Sequence, residues 1–281
     1  MTDAPARPRP APLVGVVVRT ELIAATMVRV VVRAPGFEPS PHADSYVKVV
    51  FLPAGSPRPL REDGRLDLDA VRAALPPDQQ PRQRSYTVRA WDAAADELTL
   101  DFVVHGDEGI AGPWSASAQP GDEVLLVGPG GAWSPDPAAA SHLFAGDASA
   151  LPAIAVALER LADDAVGHAV IEVHGLEDQI PLAFPPGVHV SWVHQGIAVA
   201  GLALVDAVTA LPELPRPVSA FVHGEAGVVR ELRRHVRVDR GITRDQLSVS
   251  GYWRLGADDE GWRATKRDWL ATIEESEQGL D

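Results

Sequence analysis

Short runs of β-branched or alternating residues recur through the first half of the chain. Residues 13–19 and 27–33 are rich in valine, and residues 46–52 alternate before they stop at Pro53. Such runs are typical of strands that bury one face. Further runs of this kind occupy residues 84–90, 97–105 and 123–128. Six strands with long connections predict an antiparallel β-barrel.

Two long connections separate these strands. Residues 54–83 are rich in Pro, Gly, Asp and Arg, and we expect a short helix at residues 68–75 within this insertion. The connection at residues 106–121 contains a second candidate helix at residues 113–118. The first half is therefore predicted to be a barrel with two short helices in its connections.

The pattern changes in the second half, where short strands alternate with helical periodicity. Strands are predicted at residues 142–146, 170–174, 188–192, 219–223 and 248–253, and helices at residues 149–161, 201–211, 225–238 and 259–275. This alternation predicts a parallel sheet covered by helices on both faces. A Pro/Ala/Ser stretch near residues 134–141 marks the boundary. We divide the chain into a flexible tail (1–12), a barrel domain (13–137) and an α/β domain with a C-terminal helix (138–281).

Charge and composition exclude several classes of protein. The chain has 25 Lys and Arg against 39 Asp and Glu, a formal net charge of −14, so it lacks the basic footprint of a nucleic-acid binder. No apolar run is long enough to span a membrane and no secretory signal is recognisable, so we expect a cytoplasmic protein. Cysteine is absent, which excludes thiolate chemistry and Cys-ligated clusters. Any redox chemistry must come from a bound cofactor.

No metal site is predicted. The histidines lack an HExxH spacing, and the acidic residues 258–260 are explained by the favourable position of negative charge at a helix start. Trp262, Trp269, Leu270 and Ile273 share one face of the last predicted helix, which indicates packing.

The most informative segment is RSYTVR, residues 84–89. Strand alternation puts Arg84 and Tyr86 on one face and Ser85, Thr87 and Arg89 on the other. Tyrosine can pack along a planar ring system while arginine binds phosphate, and a threonine hydroxyl can hydrogen-bond a ring nitrogen. An ordinary strand with exposed arginines explains the same pattern.

A second segment, VVHGDEGIAGPW, follows at residues 103–114. Gly109 and Gly112 allow a sharp turn and a close approach to a ligand. A helix that starts near Pro113 would present free N–H groups to an anion. A glycine-rich hairpin loop is the alternative.

Together with AGDASALPAI (145–154), HGEA (223–226) and GYWRLG (251–256), these segments resemble the siderophore-interacting proteins. This family consists of flavin-dependent ferric-siderophore reductases of the ferredoxin-reductase-like superfamily. The segment DSYVK (44–48) also resembles an early strand of the family. The resemblance runs from about Leu13 to about Leu270. It implies an N-terminal FAD-binding β-barrel followed by a C-terminal parallel α/β domain that binds NAD(P)H.

The resemblance also implies roles for residues of the first half. Arg84 contacts the FAD pyrophosphate, Tyr86 lines the flavin and Thr87 faces its N5 edge. The remaining implied FAD contacts are Ser85, Arg89, His105, Ala111, Gly112 and Trp114. The family usually has serine near position 112, where this chain has glycine, so a backbone contact is kept and a hydroxyl contact is lost.

In the second half, the implied nucleotide contacts lie where a strand turns into a helix. They are Asp147, Ser149 and Ala150, at the first crossover of the α/β domain, where open sheets bind nucleotides. A helix N-cap formed by Asp147 or Ser149 is the alternative. Glu177 and Asp178 follow the next strand; carboxylates there favour a ribose 2′-hydroxyl, so we expect NADH rather than NADPH. A solvated acidic loop explains this pair equally well.

Substrate binding requires local positive charge on an acidic protein. The candidates are Lys48, Arg254 and Lys266, with solvated charges or surface ion pairs as the alternative. Trp253 is expected either to cover the flavin or to pack in the core.

The sequence therefore predicts electron transfer from NAD(P)H through FAD to the Fe(III) of a siderophore, in a monomer. No catalytic acid or base is predicted, since the cofactor supplies the chemistry. The alternatives are a reductase of ferredoxin, free flavin or another carrier, and a non-enzymatic siderophore- or flavin-binding protein.

Overall fold

The computed structural model describes residues 11–106 and 109–276 of the 281-residue chain. The chain divides into two compact units. The first unit comprises the chain up to Glu21, together with Val28–Pro41 and Ser45–Ala132. The second comprises Leu22–Met27, His42–Asp44 and the chain from Trp133 onward. The hairpin at residues 22–27 thus belongs to the second unit, although it connects two strands of the first.

Seven antiparallel strands form the sheet of the first unit, in the order β4-β3-β7-β1-β2-β6-β5. Alternate residues such as Val28, Val30 and Val32 point into a core shared with Leu98, Leu100 and Phe102. The predicted antiparallel fold is confirmed. The strands are β1 (Leu13–Ala24), β2 (Met27–Arg33), β3 (Tyr46–Phe51), β4 (Arg82–Thr87), β5 (Ala90–Asp92), β6 (Glu97–Val103) and β7 (Glu123–Gly130).

The RSYTVR segment closes this sheet. β4 and β5 lie at opposite edges, yet they are consecutive in the chain. The N–H of Val88 donates to the carbonyl of Ser45 (2.7 Å), whereas the N–H of Arg89 donates to the carbonyl of Thr99 (3.0 Å). The single strand predicted at residues 84–90 is wrong for this reason: the backbone changes partner strands between residues 88 and 89.

Two short helices lie in the connections, as expected. α1 (Leu68–Ala74) is capped by the carboxylate of Asp67, which accepts from the N–H groups of Asp69 and Ala70. Its apolar residues pack with Val50 and Leu125 on the outer side of the sheet. α2 (Ala111–Ser117) begins two residues earlier than predicted.

Five parallel strands form the sheet of the second unit, in the order β10-β9-β8-β11-β12. The strand order reverses between β8 and β11, which makes this pair the switch point where such sheets bind nucleotides. The predicted α/β fold is confirmed. The strands are β8 (Ser141–Asp147), β9 (Val166–Val173), β10 (Gly187–His194), β11 (Val218–Glu225) and β12 (Leu247–Trp253).

Helices cover both faces of this sheet. They are α3 (Leu151–Glu159), α4 (Leu202–Thr209), α5 (Ala226–Arg234) and α6 (Asp259–Ser276). The predicted helix at residues 225–238 is too long, because a π-helical turn occupies His235–Asp239. Trp262 is buried and its ring meets that of Trp269 edge-on at 5.3 Å, which confirms packing for this pair. In the described ranges, no helix is long and apolar enough to cross a membrane.

Candidate functional site

The two faces of β4 carry different sets of the predicted FAD residues. On the outer face, Ser85 lies opposite Lys48 of β3, and Thr87 lies opposite Tyr46. Directly opposed side chains in an antiparallel pair are close enough to interact. The register therefore brings Lys48, one of the predicted substrate contacts, beside the two hydroxyl residues of RSYTVR.

On the inner face, Tyr86 joins an aromatic cluster. Its ring lies 4.0 Å from that of Phe102, and the ring of Phe102 lies 5.4 Å from that of Trp114. This chain of contacts brings RSYTVR together with the start of α2. A Cβ on Gly112 would lie 3.4 Å from the carbonyl oxygen of Val103, which is an ordinary van der Waals contact, so the approach of α2 to the end of β6 does not require glycine at this position. Tyr86, Gly112 and Trp114 remain predicted FAD contacts.

Arg84 and His105 lie near this cluster along the chain. Arg84 is half-buried, and its guanidinium donates to the carbonyl of Gln83 (3.0 Å). His105 is exposed in the segment after β6. Both remain predicted contacts of the FAD nucleotide. The neighbouring residues Asp107 and Glu108, which belong to the VVHGDEGIAGPW segment, lie outside the described residues.

Arg89 lies elsewhere, beside a cavity of about 210 Å³ on the outer side of β1, β2 and β6. Arg19, Arg29 and Glu21 also line this cavity. Arg29 makes a two-bond ion pair with the fully buried carboxylate of Asp101 (2.7 and 2.8 Å). The lining of the cavity thus combines three arginines with the carboxylate of Glu21, and it does not include the aromatic cluster of Tyr86.

Tyr46 is a residue that sequence reasoning missed. A Cβ on Gly130 would lie only 2.3 Å from Cζ of the Tyr46 ring, so the ring packs directly on the backbone of β7. This packing fixes the ring on the same face as Lys48 and Thr87. The available signal was the conjunction of the DSYVK segment with the glycines at residues 128–131.

In the second unit, the side chain of Asp147, at the end of β8, forms hydrogen bonds with residues at the ends of β11 and β12. Its Oδ1 accepts from the N–H (2.9 Å) and the hydroxyl (2.5 Å) of Ser149. Its Oδ2 accepts from the backbone N–H of Glu225 at the end of β11 and from the indole Nε1–H of Trp253 at the end of β12, both at 2.8 Å. Burial raises the pKa of the Asp147 carboxyl, and these four hydrogen bonds oppose that rise.

Glycines allow this close approach. A Cβ on Gly146 would lie 2.6 Å from Cβ of Ala150 and 2.7 Å from the carbonyl oxygen of His223. A Cβ on Gly224, which has a φ of +136°, would lie 2.6 Å from Oδ2 of Asp147. Ala150 is fully buried, and its N–H donates to the carbonyl of Asp147 (2.9 Å). Helix α3 therefore starts at Leu151, two residues later than predicted.

Two further buried carboxylates lie at the same edge of the sheet. Glu225 caps α5 by accepting from the N–H of Val228 (2.9 Å), and its other oxygen accepts from the N–H of Leu255 (3.0 Å). Glu172 of β9 accepts from the N–H groups of Gly201 (2.6 Å) and Leu204 (3.2 Å). Burial raises the pKa of Glu172, although these two N–H groups oppose the rise.

His223 lies at the centre of a buried polar group that the sequence did not reveal. Its ring stacks on Phe221 at 3.6 Å, and its two nitrogens lie within hydrogen-bond distance of the hydroxyls of Tyr252 (3.0 Å) and Ser248 (2.9 Å). Burial and the nearby charge of Lys266 lower the pKa of His223 to about 3. His223 is therefore neutral at physiological pH.

The remaining predicted substrate contacts lie on or after β12. The ammonium group of Lys266 donates to the hydroxyl of Ser250 (3.2 Å). Arg254 is exposed and directly follows Trp253, which is half-buried. Trp253 is thus held at the edge of the sheet by its bond to Asp147.

The two acidic residues after β9 differ in their surroundings. The buried carboxylate of Asp178 accepts from the N–H (2.8 Å) and hydroxyl (2.7 Å) of Thr26 and from the N–H of Gly175 (3.1 Å). Glu177 is exposed. Only Glu177 of this pair is therefore accessible to a nucleotide. No group of three or more metal-ligating side chains occurs among the residues that the structure describes.

Comparisons with known proteins agree over both units. A family model described as "Siderophore-interacting FAD-binding domain" matches residues 16–133, and one described as "Siderophore-interacting protein" matches residues 139–256. An uncharacterised protein of Mycobacterium tuberculosis is 45% identical over 94% of this chain and 96% of its own. The ferric vibriobactin reductase ViuB of Vibrio cholerae is 33% identical over 87% of this chain and 90% of its own. An NADPH-dependent ferric-chelate reductase of Escherichia coli is 31% identical over 63% of this chain and 68% of its own.

Solved structures give the same result. The siderophore-interacting protein SipS from Aeromonas hydrophila has a TM-score of 0.78 and 29% identity, and the match covers 93% of this chain and 98% of that one. A siderophore utilization protein from T. fusca has a TM-score of 0.74 and 32% identity, over 88% of this chain and 94% of that one. Both units of the chain are therefore shared with these proteins.

Proposed function

Because the chain belongs to the siderophore-interacting protein family, we propose that it is an FAD-dependent reductase of ferric siderophores. Electrons come from NAD(P)H and iron leaves as Fe(II). The observation that carries this function is the register between β3 and β4, which sets the cation Lys48 beside Ser85 and Thr87 of the flavin-binding segment. An anionic ferric complex can be held there against the flavin edge.

The residues of the first unit fit FAD. Tyr86 offers a ring face, Arg84 a guanidinium for the pyrophosphate, and Ala111 and Gly112 backbone N–H groups at the start of α2. Thr87 presents a hydroxyl to the edge of the flavin ring. When bound, FAD supplies hydride acceptance from the nicotinamide and single-electron transfer to iron.

In this scheme the protein binds and orients. Lys48, Arg254 and Lys266 are proposed to attract and hold the ferric siderophore. The hard oxygen donors of a siderophore hold Fe(II) much less tightly than Fe(III), so reduction releases the metal. No side chain is required to carry a proton during electron transfer.

We further propose that the second unit takes NADH in preference to NADPH. Support comes from the exposed carboxylate of Glu177 after β9, since a carboxylate there binds a ribose 2′-hydroxyl and repels a 2′-phosphate. Asp178 is not part of this proposal, because its carboxylate is buried and accepts from Thr26 and Gly175.

One anaerobic experiment tests the function. Protein loaded with FAD is mixed with NADH or NADPH, and then with an anionic ferric siderophore and a ferrous trap. We expect NADH to bleach the flavin absorbance faster than NADPH, and the absorbance to recover as Fe(II) appears. If the flavin absorbance recovers only when ferredoxin or free flavin is added, the electron acceptor is such a carrier and not a siderophore. Siderophore binding without flavin would indicate a binding protein.

The variant Lys48→Ala sharpens this test. Loss of one charged contact, worth about 1 kcal/mol, should raise the KM for an anionic ferric siderophore about fivefold and leave flavin bleaching by NADH unchanged. Arg65→Ala is the matched control, because Arg65 is an exposed cation paired with Asp63 in the loop before α1. An unchanged KM in Lys48→Ala would remove Lys48 from the substrate site.

A further inference from the structure

The carboxylate of Asp147 uses all of its hydrogen-bonding capacity within the protein. A carboxylate offers about four lone-pair positions. The two donors from Ser149 and those from Glu225 and Trp253 occupy four. A nucleotide hydroxyl could bind Asp147 only if one of these bonds broke. Direct contact with NAD(P)H, the role implied by the family resemblance, therefore does not suit this residue.

All four of these donors are electrically neutral. The negative charge is held by oriented N–H and O–H dipoles, which act only when their geometry is maintained. Three of the donors are fixed by the backbone or by the tight turn after β8. The fourth is the indole of Trp253, a large ring on the last residue of β12. Trp253 is thus the largest side chain among these donors, and its bond to the carboxylate joins the end of β12 to the end of β8.

Trp253 is only half-buried, so its position does not follow from packing alone. Its bond to Asp147 holds the ring at the carboxyl edge of the sheet, beside the switch point between β8 and β11. Ligands of open α/β sheets bind at this point.

We infer that Asp147 is a positioning residue: it orients the indole of Trp253, and Trp253 then forms one wall of the site for the dinucleotide. This inference rests on the proposed function, because it places NAD(P)H at this edge. In this inference, Asp147 does not contact the cofactor and affects its binding only through Trp253.

A double-mutant cycle on NADH affinity tests the inference. The dissociation constant of NADH is measured by calorimetry for the protein and for Asp147→Asn, Trp253→Phe and the double variant. The Asn amide cannot accept at both positions, so Asp147→Asn should weaken NADH binding about tenfold, the loss of one charge-assisted bond. Trp253→Phe, which lacks the N–H donor, should weaken binding to a similar extent. The double variant should be no weaker than either single variant.

A spectroscopic measurement separates positioning from general damage to the fold. Asp147→Asn should change the near-ultraviolet circular dichroism of the tryptophans, and this change should be absent when Trp253→Phe is the background. Asp163→Asn, in an exposed turn, and Trp269→Phe, on α6, are the matched controls. Thermal unfolding identifies any variant that fails to fold. If Asp147→Asn does not fold, Trp253→Phe carries the test. An unchanged dissociation constant for NADH in this variant would then overturn the inference.

Two results would overturn the inference. Losses that multiply in the double variant would mean that Asp147 acts independently of Trp253. An unaltered tryptophan spectrum in folded Asp147→Asn would mean that the carboxylate does not orient the ring. Failure of the proposed function is distinct, because the unmodified protein would then not bind NADH at all.

Discussion

At the scale of single residues, hydrogen-bond capacity separates the structural acids from those that are accessible to a ligand. Asp147 ends the parallel strand β8 and Asp178 follows β9, and sequence patterns predict nucleotide contacts at both places. Asp147 accepts four hydrogen bonds from protein donors, and the buried Asp178 accepts three. One donor to Asp178 is Thr26, 152 positions away. A local sequence pattern does not show such a distant partner, so it predicts where an acid lies but not which protein groups its oxygens bind.

The buried His223 makes stability depend on pH. Its folded-state pKa of about 3 lies below the ordinary 6.5, so between these values the unfolded chain binds a proton that the folded protein does not. Its contribution is complete above about pH 6.5 and declines by about 1.4 kcal/mol per unit as the pH falls toward 3. Acid should therefore destabilise the second unit.

The variant His223→Phe tests this dependence. Phenylalanine keeps the stacking on Phe221 but cannot titrate, and it leaves the hydroxyls of Tyr252 and Ser248 without their nitrogen partners. We expect lower stability at neutral pH and a shallower decline between about pH 6 and pH 4. Urea unfolding at several pH values measures both. An identical decline in the two proteins would contradict the assignment.

At the scale of elements, short helix α4 is held at both ends by buried charges of the sign that suits the helix dipole. Glu172 accepts from N–H groups at its start. At its end, the buried guanidinium of Arg240 donates to the carbonyls of Leu211 (2.6 Å) and Val208 (3.2 Å). An eight-residue helix is marginal by itself, so these charges account for much of its stability.

Removing either charge should loosen α4 selectively. In Glu172→Gln, the side-chain NH2 group takes the place of one accepting oxygen and faces a backbone N–H. In Arg240→Met, the buried carbonyls at the other end of the helix lose their donor. Each should cost about 1–3 kcal/mol. Hydrogen exchange should accelerate first at the amides of α4. The control is Glu231→Gln on the exposed side of α5. Uniform acceleration across the second unit would argue against a local role.

The elements themselves were largely predictable, because their apolar patterns are local. The valine-rich strands and the alternating strands and helices of the second half lie where the periodicity placed them. The errors occur where particular hydrogen bonds, which the apolar pattern does not show, set the ends of an element. β5 is separate from β4 because Val88 and Arg89 bond to different strands, and α3 starts late because Asp147 takes the hydrogen bonds of Ser149.

At the scale of the whole molecule, charge opposes the proposed substrate. The net charge of −14 repels an anionic ferric siderophore at long range, whereas Lys48, Arg254 and Lys266 attract it only at short range. The Debye length falls from about 30 Å at 0.01 M salt to about 8 Å at 0.15 M. Added salt should therefore remove more repulsion than attraction.

We expect the KM for an anionic ferric siderophore to fall about threefold over this range of salt, because the repulsion is screened first. The KM for an uncharged ferric siderophore should stay constant. Steady-state reduction, followed with a ferrous trap at several salt concentrations, measures both. A KM that rises with salt for the anionic complex would show that the local cations dominate at all distances.

The closure of the first sheet by residues 84–89 has a consequence for assembly of the holoprotein. The same six residues carry the proposed FAD contacts and join the two free edges of the sheet. A ligand that binds Tyr86 and Thr87 therefore binds the segment that closes the sheet. By linkage, FAD bound at these residues would also stabilise the closed sheet against opening between Val88 and Arg89.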